Sequence, residues 1–216
     1  MRVKPLARPF NRVACAMLIA ATTVPNFCAA VDFPVTGTVS FNGNSGSLPT
    51  GAVFGPSSYD ASTGAIGSGR FTFPQSTATF NVSGFGAVTV TYLLSQTDTS
   101  NGQVAIDGIA ALTPVSAKLE VLAVSLPVSV IPCAFSPIDL DLTGTASAAG
   151  LDLADDGFTI PPAPTGNCGA FASQINAAIA GSNNSMQVHL AGDFTPPADA
   201  DLIFRNGFDP VVAATQ

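Results

Sequence analysis

Apolar side chains recur at every second position through most of this 216-residue chain, and that period admits few folds. In Val35-Thr36-Gly37-Thr38-Val39-Ser40-Phe41 the odd positions are apolar or glycine and the even ones hydroxylic. Ala78–Val82, Val88–Tyr92 and Met186–Leu190 alternate in the same way, and Ile138–Thr143 sets aliphatics on one face against Asp139, Asp141 and Thr143 on the other. A two-residue period rich in β-branched and aromatic side chains predicts half-buried antiparallel strands, one face in the core and one in water. Val115–Val130 is apolar on both faces over part of its length. It reads either as a central strand or as two strands meeting at Pro127. About nine or ten such runs predict an antiparallel β-sandwich, Ig-like or jelly-roll-like, as one domain over residues 31–198.

Turn chemistry fits the strands. Asn42-Gly43, Asn101-Gly102 and Asp107-Gly108 are dipeptides that accept positive φ, and Asp60–Gly64 reads as a longer turn. Residues 44–58, rich in Gly, Ser and Pro, read as the longest irregular stretch of the first half. Pro161-Pro162-Ala163-Pro164 reads as a rigid loop, and Pro196-Pro197 as the start of a tail over 199–216. One segment departs from the two-residue period. Phe171, Ile175 and Ile179 recur every four residues, which predicts a short amphipathic helix over 169–180, capped by Asn167 and stopped by Gly181.

The first thirty residues read as an address. Arg2, Lys4, Arg8 and Arg12 precede the apolar run Val13–Val24, and Cys28-Ala29-Ala30 supplies the small residues of a cleavage site. The apolar run is too short for a membrane-spanning helix, which needs about 20 residues. No transmembrane segment is expected after cleavage. Export in turn frames the cysteines. Cleavage would leave Cys133 and Cys168, an even pair in an oxidising compartment, which predicts a disulfide.

Charge excludes several functions. All 14 acidic residues follow Ala30, where only Arg70, Lys118 and Arg205 are basic. Phosphate backbones are held by many Lys and Arg, so nucleic acid is excluded as a partner. A polybasic membrane-surface role is excluded on the same ground. Apolar residues make up 47% of the chain, too many for intrinsic disorder.

Catalytic signals are sparse. His189, the sole histidine, falls on the polar face of its strand and reads as a surface residue. One histidine with a paired set of cysteines leaves no tetrahedral zinc set. Asp152, Asp155 and Asp156, followed by Gly157, resemble a fragment of a calcium loop. Calcium takes six to eight oxygens, and the full D-x-D-x-D-G-x5-E spacing is not matched, so a solvated acidic turn is the simpler reading. Lys118 and Glu120 share a strand face and predict a surface ion pair. Phe71, Phe73 and Phe80 read as core, and no Trp is present to stack on sugar rings. No cofactor and no catalytic set are expected.

Two pieces carry a resemblance. From Cys133 the chain runs CAFSPIDLDLTGT, then GFTIPP, then NCGAFASQINAAIAGSNNSMQVHLAGDFTP. This pattern of C-x-x-S-P-I, F-T-I-P, C-G, I-N and G-x-x-N-S resembles the second half of small secreted bacterial β-sandwich proteins of unknown function. The resemblance implies that Cys133 and Cys168 are the family's paired cysteines. Asp201-Leu202-Ile203-Phe204-Arg205-Asn206-Gly207-Phe208-Asp209 is similar to an I-F-x-x-G-F-E/D ending of exported Gram-negative proteins, which implies a sorting or attachment signal.

Together these readings predict an exported, non-enzymatic protein of the cell surface, the medium or the periplasm, with a structural or adhesive role. Its partner would be an envelope component or an extracellular polymer. A lipid- or carbohydrate-binding module with a cleft between sheets is the alternative, and a secreted hydrolase ranks last.

Overall fold

The computed structural model describes residues 30–82, 84–125, 133–164 and 166–198. The expected signal peptide (Ala30 apart) and the tail 199–216 lie outside the described residues. So does Pro127, and with it the choice between one strand and two. In chain order the strands are β1 (Val31–Phe41), β2 (Asn44–Ser47), β3 (Val53–Ser57), β4 (Tyr59–Asp60), β5 (Ala65–Thr72), β6 (Ser76–Val82), β7 (Gly86–Gln96), β8 (Ser100–Val104), β9 (Ile109–Val124), β10 (Cys133–Ser147), β11 (Gly150–Ile160) and β12 (Gly181–Leu190). A single turn of 3-10 helix, Gly169–Phe171, leads into α1 (Ala172–Ile179).

The expected sandwich is not what these strands form. β9 pairs with β10, and the ladder continues through β11, β12, β1, β3, β5 and β8 back to β9, antiparallel at every step. The result is a closed eight-stranded antiparallel β-barrel. Alternation alone does not separate the two architectures, because a strand in either one buries every second residue. Closure depends on long-range pairing. β9 spans 16 residues and has room for three neighbours: β10 along one edge, and β8 then β7 along the other. β6 extends the wall beyond β7.

Inward positions of every ring strand fill the barrel. Phe54, Phe135, Leu112, Leu142, Leu151 and Leu190 are fully buried, as expected where eight strands enclose a space just wide enough for side chains. Outward positions carry Thr36, Thr38, Thr143, Thr145 and Gln187, all exposed. That is the reverse of a lipid-facing barrel, whose outer band is apolar. No helix of the described residues is long and apolar enough to cross a membrane.

Both ends are closed. At one end Phe194 is fully buried, its ring 4.9 Å from that of Phe33 and 5.2 Å from that of Tyr59. The Phe194 amide donates to the Ser147 carbonyl at 3.0 Å. At the other end α1 turns Ile175, Ala178 and Ile179 inward, and Cys168, just before it, stands as a disulfide pair with Cys133, their Cα atoms 4.6 Å apart. The helix begins three residues later than the expected 169, because the chain enters it through the 3-10 turn. Asn167 is not its cap: no side chain bonds the amides of either helical start.

Two local expectations are also corrected. Residues 44–58 contain β2 and β3 rather than an irregular stretch. Asn42 (φ 46°) and Gly43 (φ 83°) do form the expected tight turn, and that turn folds the wholly polar Asn44–Ser47 back onto β1. Asn101-Gly102 is not a turn but the middle of β8, paired with Thr113 and Leu112 of β9.

Candidate functional site

The sole histidine is placed by register. Thr36 of β1 lies opposite His189 of β12, His189 opposite Asp152 of β11, and Asp152 opposite Thr145 of β10. All four are outward positions. His189 Nδ1 and Asp152 Oδ1 are 2.7 Å apart. A carboxylate has no proton to give, so Nδ1–H is the donor. His189 is thus a surface residue, as expected, but a half-buried one with a fixed partner.

The next outward row is Thr38, Gln187, Ala154 and Thr143. Between the two rows runs an inward row, Gly37, Val188, Leu153 and Gly144. A Cβ at Gly37 would fall on the Gln187 carbonyl oxygen, and one at Gly144 on that of Asp152. Glycine at both ends of the row therefore lets four strands draw tightly together. Over this row lies an open groove of about 320 Å³ with Thr38, Thr143, Asp152, Gln187 and His189 around it and small Ala154 at its middle.

The three acids considered for calcium do not converge on one point. Asp152 faces His189. Asp155 accepts from the Asp141 amide at 2.8 Å and from the Gly157 amide at 2.9 Å. Asp156 is exposed. Among the described residues no group of three or more His, Cys, Asp or Glu is placed to hold a metal ion. Lys118 Nζ lies 2.9 Å from Glu120 Oε1, the ion pair expected from their shared face. Phe71, Phe73 and Phe80 are core, as expected.

The helix end of the barrel leaves a second space, about 20 Å³ and wholly apolar, between α1 and the β6–β7 hairpin. It has room for about one water-sized group. Phe85 stands at its rim, half exposed and edge-on to Phe171 at 5.8 Å.

Carboxylates at the opposite end act as loop caps. Asp60 accepts from the Ser62 amide and hydroxyl at 2.9 and 2.6 Å, and these bonds hold its carboxyl below the usual range. Asp193 is lowered by the equivalent bonds from Thr195. The Tyr59 hydroxyl donates to the Thr195 carbonyl at 2.6 Å. Burial, with Asp193 and Asp60 nearby, raises its pKa.

Chemically, the His189–Asp152 pair supplies an oriented imidazole but no attack. Among the described residues no hydroxyl or thiol is hydrogen-bonded to His189, where a nucleophile would need to stand. Alternation placed His189 outward in the sequence, whereas Asp152, read there with Asp155 and Asp156 as an acidic turn, lies within strand β11. Their juxtaposition was hidden, since 37 residues separate them and only the β11–β12 register brings them together. Comparison with family models, with curated proteins and with solved structures found no match for this chain.

Proposed function

We propose that this chain is an exported, non-enzymatic barrel protein of the cell surface or extracellular space, where its outer wall makes structural or adhesive contacts. The observation that carries this reading is the division of the wall: a filled apolar interior, and an exterior of hydroxyl, amide and carboxylate side chains with few cations. A filled barrel leaves the outside as the working surface. Arg70 and Lys118 are the only Arg or Lys among the described residues. Arg70 reaches the Thr97 carbonyl and Lys118 is held by Glu120, so polyanions find little to bind. The paired cysteines, the basic-then-apolar leader and the resemblance of 133–196 to small secreted proteins support export. Fractionation of cells expressing the full chain tests it. The protein should appear outside the cytosol with a new N-terminus at Val31 and a mass two hydrogens below the reduced form. Cytosolic retention with residues 1–30 intact would overturn the reading.

A further inference from the structure

We propose that the groove over Ala154 binds an uncharged, hydroxyl-rich polymer, a neutral polysaccharide, laid across β1, β12, β11 and β10. This inference rests on the reading of the chain as an exported surface protein. The groove is built into the fold: Gly37 and Gly144 end the row beneath it, and Ala154 leaves its middle open between Gln187 and Thr143. It crosses three inter-strand spacings, about 14 Å, enough for a short run of sugar rings.

The side chains around it select the ligand class. Asp152 uses Oδ1 on His189, which leaves Oδ2 to accept from sugar hydroxyls. His189 is held by that same bond, with the Cε1–Nε2 edge of its ring against Gly150. Gln187 adds an amide that both donates and accepts, and Thr38 and Thr143 add hydroxyls. Other ligand classes fit worse. A metal ion would find two ligands, His189 and Asp152, and no third. Anionic polymers would meet the Asp152 carboxylate and no Lys or Arg in the groove. No Trp, Tyr or Phe lines the groove, so the polymer would be held through hydrogen bonds to its hydroxyls and not by ring stacking. The β1, β12, β11 and β10 backbones here are paired in their ladders, so a peptide strand has no edge to join.

Affinity electrophoresis of the mature protein tests this, in native gels cast with dextran, mixed-linkage β-glucan or galactomannan, and with alginate as the anionic control. At least one neutral polymer should retard the protein, and alginate should not. Ala154→Phe, which fills the groove, and Asp152→Ala, which removes its acceptor, should each weaken retention about tenfold while thermal unfolding shows an intact fold. Lys118→Ala, on another part of the wall, should run as wild type. If Ala154→Phe fails to fold, Gln187→Ala takes its place with the same expectation. The proposal is overturned if no neutral polymer retards the protein, if alginate retards it more strongly, or if the folded groove variants bind like wild type. Cytosolic retention would refute the surface role without altering the gel result. A protein found outside the cell that ignores all three neutral polymers would refute the groove alone.

Discussion

Gln96 is buried where the barrel changes partners. β9 passes from β8 to β7 at this level, and the Phe71 amide donates to Gln96 Oε1 at 2.7 Å in place of a backbone carbonyl. Gln96 Nε2 donates in turn to Ser100 Oγ at 2.6 Å, and the Ser100 hydroxyl donates to the Pro114 carbonyl. Replacing Gln96 with Leu strands the Phe71 amide and removes the bond that Ser100 Oγ accepts, while the Ser100 hydroxyl keeps the Pro114 carbonyl. Stability measured by urea denaturation should fall by about 1–3 kcal/mol; an unchanged midpoint would mean that the network contributes nothing. Phe194→Ala opens the Phe33–Tyr59 end and should cost about 3–5 kcal/mol by the same measurement. The burial of Gln96 was readable, since it continues the inward series Val88, Val90, Tyr92, Leu94. Its partners were not, because Phe71 and Ser100 lie on two other strands, β5 and β8.

At the scale of elements, strands with an apolar face announced themselves and those without one did not. β1, β7, β10 and β12 follow directly from alternation. β2 is Asn-Ser-Gly-Ser, with nothing apolar to show a period, and it exists because the Asn42-Gly43 turn lays it against Thr38–Phe41. Gly102 reads as a turn former, yet a Cβ there would press on the Ala111 carbonyl oxygen and Ile66, so its role is close packing inside β8. α1 was legible from the four-residue spacing of Phe171, Ile175 and Ile179. What holds it was legible only in part. The Asn42 side chain reaches the Ala177 carbonyl at 2.7 Å and Asn176 caps the Ala163 amide at 2.9 Å, while the disulfide fixes its entry. Replacing both Cys133 and Cys168 with Ser should lower stability by about 3–4 kcal/mol, the loop-entropy value for a closure of 35 residues. A double variant that melts with wild type would show the bridge to be idle.

For the whole molecule, titration and closure are the properties to test. Asp60 and Asp193 have lowered carboxyl pKa values in the fold, so the stability they add is present above the ordinary carboxylate range and is lost as pH falls through their folded values. Tyr59 is raised, so unfolding is favoured once pH exceeds the ordinary tyrosine value and the unfolded chain ionises first. Melting temperature should therefore be flat near neutrality, drop below about pH 4 and drop again above about pH 10. Both carboxylates are exposed, so the acid loss they cause should be shallow. Closure itself was beyond the sequence. Val35–Phe41 and Met186–Leu190 each show which face turns inward, but not that the first and last long strands pair with each other. A stacked pair of sheets and a closed ring make the same demand on every strand and differ only in which edges meet. Solution NMR of the mature protein reads those edges directly. Cross-strand Hα contacts and slowly exchanging amides should appear in all eight ladders of the ring, β12–β1, β8–β9 and β9–β10 included. A ring broken at any of these, with its strands divided between two facing sheets, would contradict the barrel and with it the assignment of function to the outer wall.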